Sequence, residues 1–274
     1  MFQDRRIGLA LVLPATLFLL AGFVLPVLVL LSGSLQGPGG WSFDAYVRFF
    51  AVPLHQEVFW RTVRLGVLVT LTCAVVGYAA AFAIVNTAPS ARGKLIGLLI
   101  LPLMISPVAR TYAWIVILGR TGLVNQALQG LGLADGPVRL LFTETAVFIG
   151  LVQLFLPLMV LTLVSALENL PADVMSAARV LGAGWIQTFV RVVLPLTREG
   201  LVIGGTLVFT GAVTAYITPA VLGGSRVLML ETLLYQRVSV AGDIVSGSVI
   251  AAILVVMSYT TNVLLRRIAA GRGR

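Results

Sequence analysis

The chain has 274 residues, 59% of them hydrophobic and only 11% charged, with a mean hydropathy of +1.04. A soluble globular domain carries about a quarter of its residues as charges, so this composition excludes one and makes the bilayer the solvent. Nineteen basic and ten acidic residues leave a net charge of +9 and a pI near 10.8. These charges flank apolar runs instead of gathering on one soluble face, which points to anionic headgroups as counter-charge and away from nucleic acid.

Crossing a hydrocarbon core about 30 Å thick takes roughly 20 apolar helical residues. Runs of that length lie at 7–31, 65–85, 95–119, 145–167, 200–225 and 244–265, which predicts an all-α membrane protein of six transmembrane helices. Barrel-strand alternation is absent from these runs, and lipid leaves no water for unpaired backbone groups. The first run follows Arg5 and Arg6 but is too long for a signal peptide and lacks a small-residue cleavage site, so a retained helix is expected.

Between the first two runs, Trp41, Phe43, Tyr46, Phe49, Phe50, Phe59 and Trp60 predict an interfacial helix that starts at Ser42 as its N-cap. An aromatic belt and a partner contact explain it equally well. His55, the sole histidine, is expected in this outer loop as a solvated residue. Cys73, the sole cysteine, falls inside the second run as a small core or lipid-facing residue, so neither a disulfide framework nor a thiolate metal site is available within the chain. The third run holds the only charge inside a span, Arg110. Pro102, Pro107, Pro157 and Pro219 free backbone carbonyls within spans, a device found where helices bend round a cavity.

An even number of spans puts both termini on one side. That side then holds eleven basic residues (Arg5, Arg6, Arg92, Lys94, Arg179, Arg191, Arg198, Arg266, Arg267, Arg272 and Arg274) and four acidic ones, against eight and six on the other. The positive-inside rule therefore predicts cytoplasmic termini. On the same side, residues 168–199 form a long loop with helical patterning: Val174, Ala177, Ala178 and Leu181 share one apolar face, with Pro171 near the helix start. Gly182 and Gly184 break that helix, and a second short run, Trp185 to Val193, leads to Pro195. A helix-turn-helix unit outside the membrane with this much apolar surface requires a covering partner.

The stretch Ser176-Ala177-Ala178-Arg179-Val180-Leu181-Gly182, nine residues, then Val192-Val193-Leu194-Pro195 resembles the EAA loop of binding-protein-dependent ABC importer permeases, with Ser176 standing where that pattern has Glu. Two further stretches, Leu101 to Asn125 and Tyr216 to Gly224, are similar to the spermidine/putrescine permeases. The resemblance implies the type I importer permease fold, with a peripheral first helix and external amphipathic segment (1–61) ahead of a five-helix core (62–274). It implies that Ser176, Ala177, Ala178, Gly182, Ala183, Gly184, Trp185, Leu194 and Pro195 contact an ATPase. The implied partners are two ATP-binding-cassette subunits that bind the ATP and Mg this chain does not, a second and different permease, an extracytoplasmic solute-binding protein and membrane lipid. The implied location is the bacterial cytoplasmic membrane, and the implied cargo a polyamine moved by alternating access.

For the substrate pathway the sequence offers Arg110, Tyr112, Trp114, Gln153, Thr214 and Tyr216. Arg110, counted along an unbroken helix, falls roughly 22 Å from the inner boundary. It snorkels to the outer interface, pairs a partner's carboxylate or meets an anionic substrate. Facing the pathway, it would repel a polyamine, which keeps phosphonate, iron and other small ions open as cargo. Tyr112 and Trp114 suit cation–π contact with ammonium groups or interface anchoring. Gln153, Thr210, Thr214 and Tyr216 suit a pore or interhelical hydrogen bonds.

Gly93-Lys94 runs into Leu95, and Ala88 stands where a phosphate-binding loop needs glycine, so no nucleotide site is expected. No span carries Asp or Glu, which argues against the runner-up class, a self-sufficient ion-coupled carrier. No catalytic constellation or histidine metal site can be assembled, so the chain is expected not to be an enzyme.

Overall fold

A computed structural model describes residues 5–37 and 40–270, and helices dominate it. Asp4, Arg272 and Arg274, used in the charge balance, lie outside the described residues, as do the side chains of Ser176, Ala177 and Arg179. Among the described residues, four helical segments are long and apolar enough to cross a membrane: Val12–Ser34, Pro53–Val85, Glu144–Glu168 and Ile244–Ile268. Two further helix pairs qualify only if each bent pair counts as one span. The chain divides into two compact units, Met1–Glu57 with Leu233–Val256, and Val58–Thr232 with Met257–Arg274.

In the first unit, α1 (Arg5–Leu19), a π-helical turn (Leu20–Val24) and α2 (Leu25–Ser34) follow without a break. Phe18, Phe23 and Leu28 are all more than half exposed, and a helix apolar on every side needs lipid around it. A two-residue antiparallel pair, β1 (Gln36–Gly37) with β2 (Gly40–Trp41), turns the chain into α3 (Asp44–Ala51). Ser42 does not occupy the N-cap position itself. The helix opens at Asp44, whose backbone N–H donates to the Ser42 hydroxyl at 3.0 Å, so the serine still serves the helix start from one residue earlier than expected. The Ser34 and Tyr46 hydroxyls, 2.7 Å apart, tie α2 to α3.

The next helix, α4 (Pro53–Val85), has 33 residues and begins well before the apolar run at 65. At 1.5 Å per residue it is about 50 Å long, more than the hydrocarbon core requires. Phe59 and Trp60 therefore belong to α4 and not to a separate interfacial helix. His55 is also corrected. It sits on the first turn of α4, 7% exposed, stacked on the Phe49 ring with centroids 4.6 Å apart.

In the second unit the third apolar run is two helices, α5 (Pro89–Met104) and α6 (Pro107–Leu118). The bend between them is 94°. Pro107 causes it: proline pushes the preceding residue out of the helical region, and Ser106 has ψ 130°. After α7 (Leu123–Gly130) comes α8 (Glu144–Glu168), capped by the Thr143 hydroxyl, which accepts from the Ala146 N–H at 3.2 Å. The loop helices are α9 (Ala172–Val180), α10 (Trp185–Thr188), a π-helical turn (Phe189–Val193) and α11 (Leu194–Leu196). A 70° bend at Thr197 leads into α12 (Arg198–Val213), so the fifth apolar run is also interrupted, ending its long helix at Val213 before the short α13 (Ile217–Leu222). The chain closes with α14 (Leu230–Tyr235), a π-helical turn (Gln236–Val240) and α15 (Ile244–Ala270).

The second unit is centred on α8, against which α5, α12 and α13 pack. Val69, Cys73, Leu151, Met159, Leu163 and Val208 are fully buried there. Both ends of α8 are held by charge. Glu144, in its first turn, pairs with Arg61 at 2.8 Å and with Arg64, while Glu168, its last residue, pairs with Arg92 at 2.8 Å. The α8–α12 contact depends on Gly200 and Gly204, four residues apart, the small-residue spacing that lets helices approach closely in lipid. A Cβ on Gly200 would collide with the Ala166 side chain and lie 2.9 Å from the Thr162 backbone oxygen, an atom that cannot step aside. Gly200→Val is therefore expected to cost about 1–3 kcal/mol. Thiol-reactive dye on the fully buried Cys73 reads this as labelling at lower temperature, while Gly97→Val, in open space, leaves the labelling temperature unchanged.

Candidate functional site

Two places in the second unit gather the residues singled out by sequence. The first is a cavity of about 620 Å3 formed where α5, α6 and α8 meet near the α5–α6 bend. Trp114 and Gln153 line it, together with Leu95, Leu98, Pro102 and Phe148, and the Trp114 indole N–H donates to the Gln153 side-chain oxygen at 3.4 Å. No charged side chain is among its lining residues.

Arg110 stands on the first turn of α6, 9% exposed. Its Nη1 donates to the Pro102 carbonyl at 2.9 Å. The last carbonyls of a helix carry partial negative charge, and the Pro102 carbonyl accepts both from the Ile105 N–H at 3.3 Å and from this guanidinium, a favourable place for a cation. The depth of roughly 22 Å counted along an unbroken helix does not survive the 94° bend. Among the other sequence candidates, Tyr112 is 59% exposed on α6, Thr214 is exposed at the end of α12 with its hydroxyl donating to the Thr210 carbonyl at 2.7 Å, and Tyr216 is half-buried just before α13. Of the six, the structure joins Trp114 to Gln153 directly.

The second place is the helical loop. Gly182 ends α9 with φ +76°, and the Ala183 N–H donates to the Ala178 carbonyl at 3.0 Å, the closing bond of a Schellman cap. Gly184, in extended backbone, precedes α10, which Trp185 opens. Leu194 and Pro195 form α11. The expected apolar face divides. Ala178 is buried and Val174 half-buried, whereas Leu181 is 86% exposed. The uncovered apolar surface thus consists of Val180, Leu181, Trp185, Ile186 and Val190. The buried Ala178 side belongs to the packing of α9 against α10 and the π-helical turn at Phe189–Val193.

Sequence reasoning missed Tyr78, Phe82 and Phe189, which attach the loop, and named Trp185 only as an ATPase contact. The Trp185 ring stacks on Phe189 with centroids 5.8 Å apart and meets Phe82 of α4 edge-on at 6.1 Å, and Phe189 meets Tyr78 of α4 edge-on at 5.3 Å. The Tyr78 and Thr197 hydroxyls share a hydrogen bond. Arg92, besides its pair with Glu168, donates to the Val85 carbonyl at the end of α4, joining α4, α5 and α8 beside the loop. The sequence signal for the aromatic set is the spacing of Tyr78 and Phe82, and of Trp185 and Phe189, each four residues apart on one helical face.

A family model described as the inner membrane component of binding-protein-dependent transport systems matches residues 9–272. The spermidine/putrescine transport system permease protein PotB of Haemophilus influenzae is 36% identical over 222 residues, covering 78% of each chain. PotB of Escherichia coli K12 is 36% identical over 190 residues, 69% of each chain. A chain in the crystal structure of a bacterial alginate ABC transporter, in complex with its alginate pentasaccharide-bound periplasmic protein, matches with a TM-score of 0.80 at 17% identity, covering 96% of this chain and 95% of that one. The chain belongs to the binding-protein-dependent transport system inner membrane component family. It is a permease subunit of an ABC importer, a multi-pass inner-membrane protein and a transport component, not an enzyme.

Arg110→Met removes both the donor and the positive charge at the end of α5 and is expected to cost about 1.5–3 kcal/mol of stability, seen as earlier Cys73 labelling on heating, with Arg110→Lys recovering part of the loss. Unchanged stability combined with lost transport would instead place Arg110 in the substrate's path.

Proposed function

We propose that the chain forms one half of an import pathway for a polyamine such as spermidine or putrescine. The carrying observation is its 36% identity, over 78% of its length, to a spermidine/putrescine permease. The uncharged cavity supports the same cargo. Arg110 is not among the lining residues: it is 9% exposed, and its guanidinium, which keeps its charge, donates to the Pro102 carbonyl at 2.9 Å. The half-buried Trp114 indole offers an aromatic face for an ammonium group and the apolar wall suits the methylene spacers between ammoniums.

In this proposal each bent helix pair counts as one span, so that six spans place both termini in the cytoplasm. Of two ATPase subunits, which bind the ATP and Mg, one docks on Val180, Leu181 and Ile186 around Gly182, a surface whose exposure supports a missing partner. An extracytoplasmic binding protein delivers the solute, a role supported by the alginate transporter, which was crystallised in complex with its pentasaccharide-bound periplasmic protein. A second, different permease completes the pathway, and alternating access is driven from the loop through the aromatic set on α4.

Reconstituted into liposomes, the chain alone should move no labelled spermidine, and uptake should require the ATPase, binding protein and sister permease together. Gradient-driven uptake by the chain alone would overturn the importer assignment of this pathway. Trp114→Ala should raise the KM for spermidine about 2- to 30-fold, the range that corresponds to a cation–π contact. Gly182→Glu places a side chain at positive φ, costing about 1–2 kcal/mol locally, and should leave membrane insertion intact while uncoupling ATP hydrolysis from uptake. Transport unchanged in that variant would remove Gly182 from the coupling surface.

A further inference from the structure

The first unit contains a cavity of about 530 Å3 that no part of the transport reading uses. Its polar lining is Gln36, Arg48, His55, Arg237, Asp243 and Ser246, drawn from β1, α3, the first turn of α4, the π-helical turn and the start of α15. The cavity is rich in hydrogen-bond donors. Arg48 makes no side-chain hydrogen bond or ion pair among the described residues. Arg237 donates through Nη2 to His55 Nε2 at 3.1 Å. A guanidinium can only donate, so this nitrogen accepts, and Nδ1 carries the proton that is donated to the Phe49 carbonyl at 3.0 Å. His55 is thereby a neutral bracket that aims Arg237 and adds no charge.

The one carboxylate present, Asp243, serves mainly as a helix cap and is also attracted to the Arg237 charge. Asp243 accepts from the Ser246 N–H at 3.0 Å, capping α15, and hydrogen bonding to Ser246 holds its carboxyl below the usual range. It lies within salt-bridge distance of neither arginine. Two guanidiniums, one carboxylate and a neutral imidazole leave a net positive cavity with most arginine N–H groups unused. Arginine forks of this kind match oxyanions that present several acceptor oxygens, phosphate above all.

Location narrows the phosphate's source. The cavity face of α3 carries Ala45, Arg48, Phe49 and Val52. Phe43 and Val47, four residues apart beside that face, are 71% and 68% exposed, and Trp41 just ahead is 78% exposed. An apolar, aromatic helix face with that exposure lies at the headgroup layer of a bilayer, so the cavity beneath it opens at the same depth. We propose that the Arg48–Arg237 cavity binds the phosphodiester headgroup of an anionic phospholipid.

The test is native mass spectrometry of the purified full chain titrated with phosphatidylglycerol, phosphatidylcholine or inorganic phosphate. Wild type should retain phosphatidylglycerol about 10-fold better than phosphatidylcholine, the double variant Arg48→Gln with Arg237→Gln should lose this preference, and Arg237→Lys should keep part of it. Arg48→Gln alone changes a side chain bonded to nothing described, so Cys73 labelling on heating should match wild type while retention falls. Equal retention in wild type and the double variant would overturn the site. Inorganic phosphate displacing phosphatidylglycerol at equal concentration would overturn the lipid assignment in favour of a soluble phosphate.

Discussion

A bilayer offers no water to a broken helix, so each carbonyl released by a bend has to find a partner within the protein. The 94° turn between α5 and α6 shows how this is met. Pro107 forces the preceding residue out of the helix, the Ile105 N–H turns back to the Pro102 carbonyl, and Arg110 returns from one turn along α6 to donate to that same carbonyl. Proline bends the chain and arginine makes the bend tolerable in lipid. The cavity lined by Trp114 and Gln153 exists because α5 and α6 diverge at this point in front of α8.

The same device recurs at the loop end of the second unit. Arg92 donates to the Val85 carbonyl, which closes α4, and pairs with Glu168, which closes α8. A glutamate at a helix C-terminus is unfavourable against the helix dipole, and the arginine offsets it. Next to this tie, Tyr78 and Phe82 on α4 hold Phe189 and Trp185 of the loop by edge-to-face contacts. Such contacts contribute about 0.5–1.5 kcal/mol each beyond the area they bury. The loop is therefore attached to α4 through rings, and in the proposed mechanism these packed side chains are what would carry a displacement of α10 to α4. Meanwhile Val180, Leu181 and Ile186 are free to meet another subunit.

The ends of α8 and the start of α15 were legible because hydropathy changes sharply there: runs at 145–167 and from 244 correspond to Glu144–Glu168 and Ile244–Ala270. The loop helices were legible from Pro171, Gly182 and Gly184, which act locally. The bends at Ile105–Ser106 and Thr197 were not, since an uncharged run reports affinity for lipid and says nothing of direction. Pro102 and Pro107 marked the possibility of bending without its angle. His55 was misplaced for a related reason. Its partners Phe49 and Arg237 are 6 and 182 residues away, and nothing local distinguishes a stacked, doubly bonded imidazole from a solvated one.

Arg110 illustrates how the meaning of an intramembrane charge depends on what else is unsatisfied nearby. Read from sequence, a lone guanidinium in an apolar span requires an external counter-charge, whether headgroup, partner carboxylate or anionic substrate. That requirement holds only while the helix around it is intact, with every carbonyl already bonded. Once the helix is broken, its own C-terminus becomes a nearby electronegative group that the guanidinium can bond while keeping its charge. The rule can be applied to other permeases of this kind: an arginine that follows a Ser-Pro step by about one helical turn, with a second proline in the preceding helix, is first a candidate for closing that helix.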